Sequence, residues 1–118
     1  MPIDDPAATF RSALRQRGHV LAVLECATDP TMIGNMQALR LCAERAAGEV
    51  LLELVRRADT GGVTRLLVEN GISRDLAGRW QRLGAMPADE FERKLEKRRA
   101  LAIAGKTNDA PARAQVME

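Results

Sequence analysis

Aromatic residues are the scarcest class in this chain of 118 residues. They make up 3% of it, with one Trp, two Phe and no Tyr. A core with so few aromatic side chains has to be built from Leu, Val, Ala and Met, and the wealth of Ala, Leu, Arg and Glu favours helices. Hydrophobic residues amount to 46% and charged residues to 29%, so the chain can bury a core. These proportions predict one small all-α domain and exclude an all-β sandwich.

Histidine is almost absent as well. His19 is the single histidine, so a zinc site lacks ligands, and a Ser/His/Asp triad would depend on this one residue, which we interpret as a capping or surface residue. The sequence also contains no glycine-rich phosphate-binding loop. We therefore expect a protein that is not an enzyme and that uses no cofactor, no metal ion and no small-molecule substrate.

Cysteines and long hydrophobic runs are few. Cys26 and Cys42 stand beside apolar residues and predict small buried thiols in a reducing compartment. No apolar run approaches the ~20 residues of a membrane span, and the acidic start Met1–Asp5 differs from a signal peptide. We expect a cytoplasmic protein with no membrane partner.

Charge is distributed unevenly along the chain, whose net charge is +2. Residues 1–60 have seven basic and eight acidic side chains, whereas residues 61–105 have nine basic and six acidic ones. A basic half is typical of proteins that bind nucleic acid. This excess is modest, so it permits DNA binding without requiring it.

Helical spacing divides the chain into three parts. Residues 1–28 form an N-terminal helical segment, in which the apolar run Val20–Leu24 is compatible with a strand or a buried helix. We choose a helix because the run has no alternation and no partner strand. Residues 29–105 hold a long helix and a helix-turn-helix-like module, and residues 106–118 are predicted to be a flexible tail.

The long helix, from about residue 30 to 58, is the clearest element. Asp29 suits its N-cap and Pro30 its first turn, and apolar residues recur on one face at steps of three and four. At 1.5 Å per residue it would be roughly 40 Å long, more than a compact domain of this size usually needs. The apolar face is either the seam of a homodimer or a surface covered by helices of the same chain, and the two alternatives are equally favoured. The seam residues would be Met32, Met36, Leu39, Ala43, Ala46 and Val50.

A helix-turn-helix pattern follows the long helix. The apolar residues of its first helix are Val63, Leu66, Leu67 and Val68. Gly71 then supplies a turn residue with positive φ, Ile72 plugs the angle between the helices, and Ser73 caps a second helix at residues 74–83. A last helix begins at Pro87, and its basic residues Lys94, Lys97, Arg98 and Arg99 are interpreted as a solvated face.

The second helix of this pattern has an apolar side and an arginine side. Trp80 lies on the apolar side and is expected to anchor the core. In a helix-turn-helix the outward side of the second helix reaches base edges in the major groove, where arginine bound to guanine is the commonest specific contact. We therefore predict a recognition helix for double-stranded DNA. The candidate nucleic-acid-binding residues are Arg65, Arg74, Arg79, Gln81 and Arg82.

Three short segments carry a resemblance to small proteins of phages and integrated mobile elements. They are Gly71-Ile72-Ser73-Arg74-Asp75, Arg79-Trp80-Gln81-Arg82-Leu83 and Pro87-Ala88-Asp89-Glu90-Phe91-Glu92. As in those proteins, a long charged helix precedes them, here at Arg40–Leu51. The similarity covers about residues 38–95 and implies a helix-turn-helix-like module encoded by a phage or mobile element.

The same region is similar, more weakly, to the helix-turn-helix of ParB/KorB-type partition proteins. Arg82-Leu83 and Met86-Pro87 stand where those proteins have an arginine-leucine pair and a leucine-proline step. The chain departs from the mobile-element pattern at residues 76–78, Leu-Ala-Gly, where small polar residues usually stand.

These features favour two functions of different classes. The first is a DNA-binding regulator of transcription, dimeric through the long helix. The second is an inhibitor of a host protein, such as an anti-CRISPR or other anti-defence protein, that keeps the helix-turn-helix only as scaffold. The arginine face and the intact turn favour the first function, whereas the weak net charge and the missing hydroxyls favour the second.

Overall fold

The computed structural model describes residues 4–105, which form five α-helices. They are α1 (Pro6–Cys26), α2 (Pro30–Arg56), α3 (Thr60–Asn70), α4 (Arg74–Ala85) and α5 (Ala88–Ile103). No strand occurs within residues 4–105, so the predicted all-α class is confirmed. The tail predicted at residues 106–118 lies outside the described residues.

Side-chain caps explain where the first four helices begin. Asp29 accepts a hydrogen bond from the backbone N of Met32 at 2.9 Å, and Ser73 accepts one from Leu76 at 3.1 Å. Each cap satisfies a backbone donor that has no partner inside its helix. The caps of the four helices are Asp5, Asp29, Asp59 and Ser73. The two predicted caps, at residues 29 and 73, are confirmed.

The N-terminal segment is one continuous helix. α1 runs through Gly18 and the apolar run Val20–Leu24, so the helix interpretation of that run is confirmed. Phe10 of this helix is fully buried, and its ring lies 6.3 Å from that of Trp80, measured between centroids. α1 therefore contributes to the same core as the C-terminal helices.

α2 is the central helix, and the other four helices all pack on it. One hydrophobic cluster joins α1, α2, α3 and α4, and a second joins α2, α4 and α5. The first contains Phe10, Ala13, Ala47, Val50, Leu51, Leu54, Leu66, Leu67, Ala77 and Trp80. The second contains Ala38, Leu41, Leu83, Phe91 and Leu95. Trp80 is 1% exposed, which confirms its prediction as a core anchor.

The crossing of α2 and α4 depends on two glycines. A Cβ atom added to Gly48 would lie 1.8 Å from the carbonyl O of Trp80, and one added to Gly84 would lie 2.8 Å from the backbone N of Glu49. No other residue type has a side chain small enough for this approach. The backbones meet directly, and this contact fixes the position of α4 on α2.

Two predictions of burial are wrong. Cys26 and Cys42 are both exposed, the first because it is the last residue of α1 and the second because it lies on a side of α2 that its neighbours leave open. Partial desolvation, together with the carboxylate of Glu92, raises the pKa of the Cys42 thiol. Val68 of α3, expected on the apolar face, is 75% exposed because that helix packs through Leu66 and Leu67.

Within residues 4–105, no helix combines the length and the apolar character that crossing a bilayer requires.

Candidate nucleic-acid interface

The turn between α3 and α4 has the predicted geometry. Gly71 adopts φ +66° and ψ 34°, a left-handed conformation that glycine takes without steric cost. The backbone N of Ile72 donates to the carbonyl O of Leu67 at 2.9 Å, and the Ile72 side chain packs against the first cluster. Ser73 then caps α4. The prediction of a glycine, a plug and a cap in three consecutive residues is confirmed.

α4 has one buried and one exposed face. Ala77, Trp80 and Leu83 are buried on the side toward α2. Arg74, Arg79 and Arg82 are exposed, and Gln81 is half-buried. The two faces predicted from the sequence are therefore confirmed for this helix.

The helix on which α4 chiefly packs is not α3, its partner in the helix-turn-helix. α4 packs chiefly on α2, and α3 also packs on α2. α3 and α4 are joined by the turn and share the first cluster. The arginine face of α4 is consequently positioned by the close crossing at Gly48 and Gly84 on the long helix.

A groove of about 470 Å³ lies between α2, α4 and α5. Its cationic residues are Arg40, Arg79, Arg82, Lys94 and Arg98. Its apolar residues are Leu41, Leu76, Trp80, Leu83 and Met86. Glu44 is the single carboxylate in its lining. Three helices thus bring five basic side chains around one concave surface.

Glu44 neutralises at most one of these five cations, Arg40, because it shares its carboxylate with Arg17 as well. Its Oε2 accepts from the Nε of Arg17 at 2.6 Å and from the Nε of Arg40 at 3.1 Å, and its side chain is only 7% exposed. The Arg17 guanidinium also lies 5.1 Å from the Trp80 ring centroid, within cation–π range. Two guanidiniums therefore compensate one buried carboxylate at the edge of the groove.

The structure brings two of the five candidate nucleic-acid-binding residues into the groove, Arg79 and Arg82. Arg65 is exposed on α3 and Arg74 on the first turn of α4, and neither they nor Gln81 line it. Within residues 4–105, no ion pair involves Arg79 or Arg82. Their guanidiniums are therefore available to an anionic ligand.

Sequence reasoning missed three of the groove's cations. Arg40 was not among the candidate residues, and Lys94 and Arg98 were interpreted as part of a solvated face. Both α5 residues are half-buried, whereas Lys97 is exposed as expected. The spacing of Lys94 and Arg98 by four residues does place them on one side of a helix. That signal could not show that this side lies next to α4.

The residues of the predicted dimer seam differ in how far the structure buries them. Ala43 and Val50 are 3% and 0% exposed within this single chain, so assigning them to a seam with a second copy is wrong. Both are enclosed because several helices surround this part of α2. Met32 and Leu39 are 47% and 50% exposed, and Met36 and Ala46 are half-buried. A dimer through the exposed end stays a prediction.

Within residues 4–105, no group of three or more His, Cys, Asp and Glu side chains is arranged to hold a metal ion.

Comparisons with known proteins give no relative on which function could be based. No protein-family model, no curated protein and no solved structure matches the chain. The resemblance to proteins of phages and mobile elements therefore stays a prediction from the sequence segments.

Proposed function

We propose that this chain is a small DNA-binding regulator, as the resemblance to phage and mobile-element proteins implies, and that α4 is its contact with double-stranded DNA. The observation that carries the proposal is the exposed arginine face of α4, which stands opposite its buried face. Phosphate contacts from arginine and lysine provide most of the affinity of such proteins for DNA. Arg79 and Arg82 are the two residues that we expect to contribute most.

Basic residues outside α4 support the same surface. Arg40 of α2 and Lys94 and Arg98 of α5 line the groove beside the two arginines. Arg74 extends the basic face toward the turn. In the proposed complex, α4 approaches the major groove while flanking cations contact the backbone, which is the usual division between positioning and base-reading contacts.

The experiment is fluorescence anisotropy with a labelled duplex of random sequence, from low to physiological salt. The wild-type protein should bind with a steep salt dependence. The double variant Arg79→Ala/Arg82→Ala should bind at least tenfold more weakly at low salt. The slope of log K against log salt should fall by about 0.9 for each phosphate contact that is lost.

A matched control has the same change in net charge elsewhere. Arg11 and Arg15 are exposed on α1, on the side away from the buried Phe10 and Ala13. The double variant Arg11→Ala/Arg15→Ala should retain wild-type affinity and salt slope. Equal losses in both double variants would mean diffuse attraction without an interface, and no binding of the wild-type protein at low salt would refute the proposal.

A further inference from the structure

The groove between α2, α4 and α5 contains an apolar surface that a contact with DNA would leave uncovered. Beneath its cationic rim lies an apolar floor, formed by the half-buried Leu76 and Met86 above the buried Leu41, Leu83 and Trp80. A DNA backbone presents phosphate and sugar groups to such a surface. These groups can interact with the cationic rim, but they provide no apolar contact for the floor. Apolar surface in a concave site is stabilised by an apolar group that displaces water from it.

We propose that this groove is a docking site for an acidic, amphipathic peptide segment of a partner protein. Carboxylates of the segment would pair with Arg79, Arg82 and Lys94, close to the positive charge of Arg98, and one or two apolar side chains would enter between them. Charge complementarity argues for this occupant, because four cations besides Arg40 line the groove and its one carboxylate is already held by Arg17 and Arg40.

The dimensions of the groove agree with a short segment. Its volume of about 470 Å³ falls within the range of roughly 300–1,000 Å³ of clefts that hold small molecules, which is room for one or two side chains of a segment. Met86 is half-buried at the end of the floor, and an unbranched thioether side chain adapts readily to different apolar partners. A guanidinium also suits a carboxylate, which it can bind through two parallel hydrogen bonds.

Docking in this groove would compete with the proposed DNA contact, since Arg79 and Arg82 belong to both surfaces. A bound peptide would neutralise these arginines and lower the affinity for DNA. The docking site itself rests on the groove alone, so it stands whether or not the chain binds DNA.

The first experiment is selection from a random twelve-residue peptide display library on the folded full-length chain. Enriched peptides should combine Asp or Glu with Leu, Ile, Phe or Met. A synthetic peptide of the enriched sequence should change the fluorescence of Trp80, which lines the groove and is the only tryptophan of the chain. Replacing its apolar residues by Ser should weaken binding at least tenfold.

Variants of α5 locate the binding site. Lys94→Ala/Arg98→Ala should weaken peptide binding at least tenfold, whereas Arg93→Ala/Lys97→Ala, on the same helix and outside the groove, should change it less than twofold. Lys94→Arg/Arg98→Lys should restore most of the affinity. Circular dichroism and thermal unfolding of each variant establish that the comparison is made between folded proteins.

Several outcomes would overturn the proposal. They are the absence of any enriched peptide, enrichment without an acidic bias, and unchanged affinity after the Ser replacements. If no peptide is selected, and duplex DNA binds the wild-type protein but not the Lys94→Ala/Arg98→Ala variant, the groove is assigned to nucleic acid instead. Arg74→Ala separates the two activities, because Arg74 lies outside the groove and should affect DNA binding alone.

Discussion

The two ends of α2 share one apolar periodicity but have different surroundings. Toward its C-terminal end, Val50 and Leu51 are fully buried among α1, α3 and α4. Toward its N-terminal end, Met32 and Leu39 remain about half exposed. A stripe of apolar residues therefore shows which side of a helix avoids water, and the arrangement of the neighbouring helices decides how much of that side is covered.

Gly48→Ala should have the largest effect, because it acts at the closest contact of the enclosed end. Its Cβ would lie 1.8 Å from the carbonyl O of Trp80, so α4 would have to move away from α2. We expect the free energy of unfolding to fall by about 3 kcal/mol or more, at the upper end of overpacking effects. Urea unfolding followed by circular dichroism measures this change.

Gly18→Ala is the matched control for that substitution. Gly18 lies inside α1, and a Cβ there meets no atom within 4 Å. Alanine should therefore stabilise the helix by about 0.5–1 kcal/mol through its propensity alone. A Gly48→Ala variant that is as stable as the wild-type protein would contradict the direct backbone contact.

Truncating a leucine at each end of α2 tests the comparison directly. Leu51→Ala removes a fully buried side chain and should cost about 2–5 kcal/mol. Leu39→Ala removes a side chain that is 50% exposed and should change stability by about 0.5 kcal/mol or less. Similar costs at both positions in urea unfolding would show that the exposed end is covered in solution.

Leu39→Glu then tests whether a second copy provides that cover. The variant should remain folded, because this position contributes little to the core. If the exposed end is the predicted seam, light scattering will show a dimer for the wild-type protein and a monomer for the variant. An unchanged mass would refute the seam.

Local signals allowed much of the fold to be predicted from the sequence. Asp29, Gly71 and Ser73 act on residues within four positions of themselves, so their roles as cap or turn could be inferred from the residues alone. The two faces of α4 were predictable for the same reason, since the adjacent residues Arg79 and Trp80 point about 100° apart around a helix.

The candidate site could be predicted only in part, because it depends on contacts between distant segments. Arg79 and Arg82 were identified from their own helix. Lys94 and Arg98 join them only because Phe91 and Leu95 seat α5 on α2 beside α4. No pattern along the chain shows that α5 lies beside α4. For the same reason, the sequence could not show that Cys42 lies outside the core.

A small, pH-dependent effect is expected at the C-terminal end of α2. Glu53 accepts hydrogen bonds from Arg56 and Arg57, and the bond from Arg56 holds the pKa of Glu53 below its ordinary value of 4.5. A carboxylate with a lowered folded-state pKa stabilises the fold above the unfolded-state value. That stabilisation is lost as the pH falls through the folded-state value.

Glu53→Gln should therefore reduce the loss of stability on acidification from about pH 5 to about pH 3. The change should be slight, because solvent screens an ion pair at an exposed helix end. Urea unfolding at several pH values measures it, with Glu49→Gln, on an exposed side of the same helix, as the control. If the free energy of unfolding depends on pH in the same way for wild type and Glu53→Gln, this ion pair does not contribute to the loss of stability in acid.

The separation of the core into two clusters has a consequence for local unfolding. α5 contributes buried residues to the second cluster alone, whereas the first is complete without it. Cooperative units of this kind open with their own free energy, below that of the whole domain. When α5 detaches from α2, Lys94 and Arg98 leave with it and the groove ceases to exist. A ligand that bridges the groove would therefore bind only the closed state and would slow the opening of this helix.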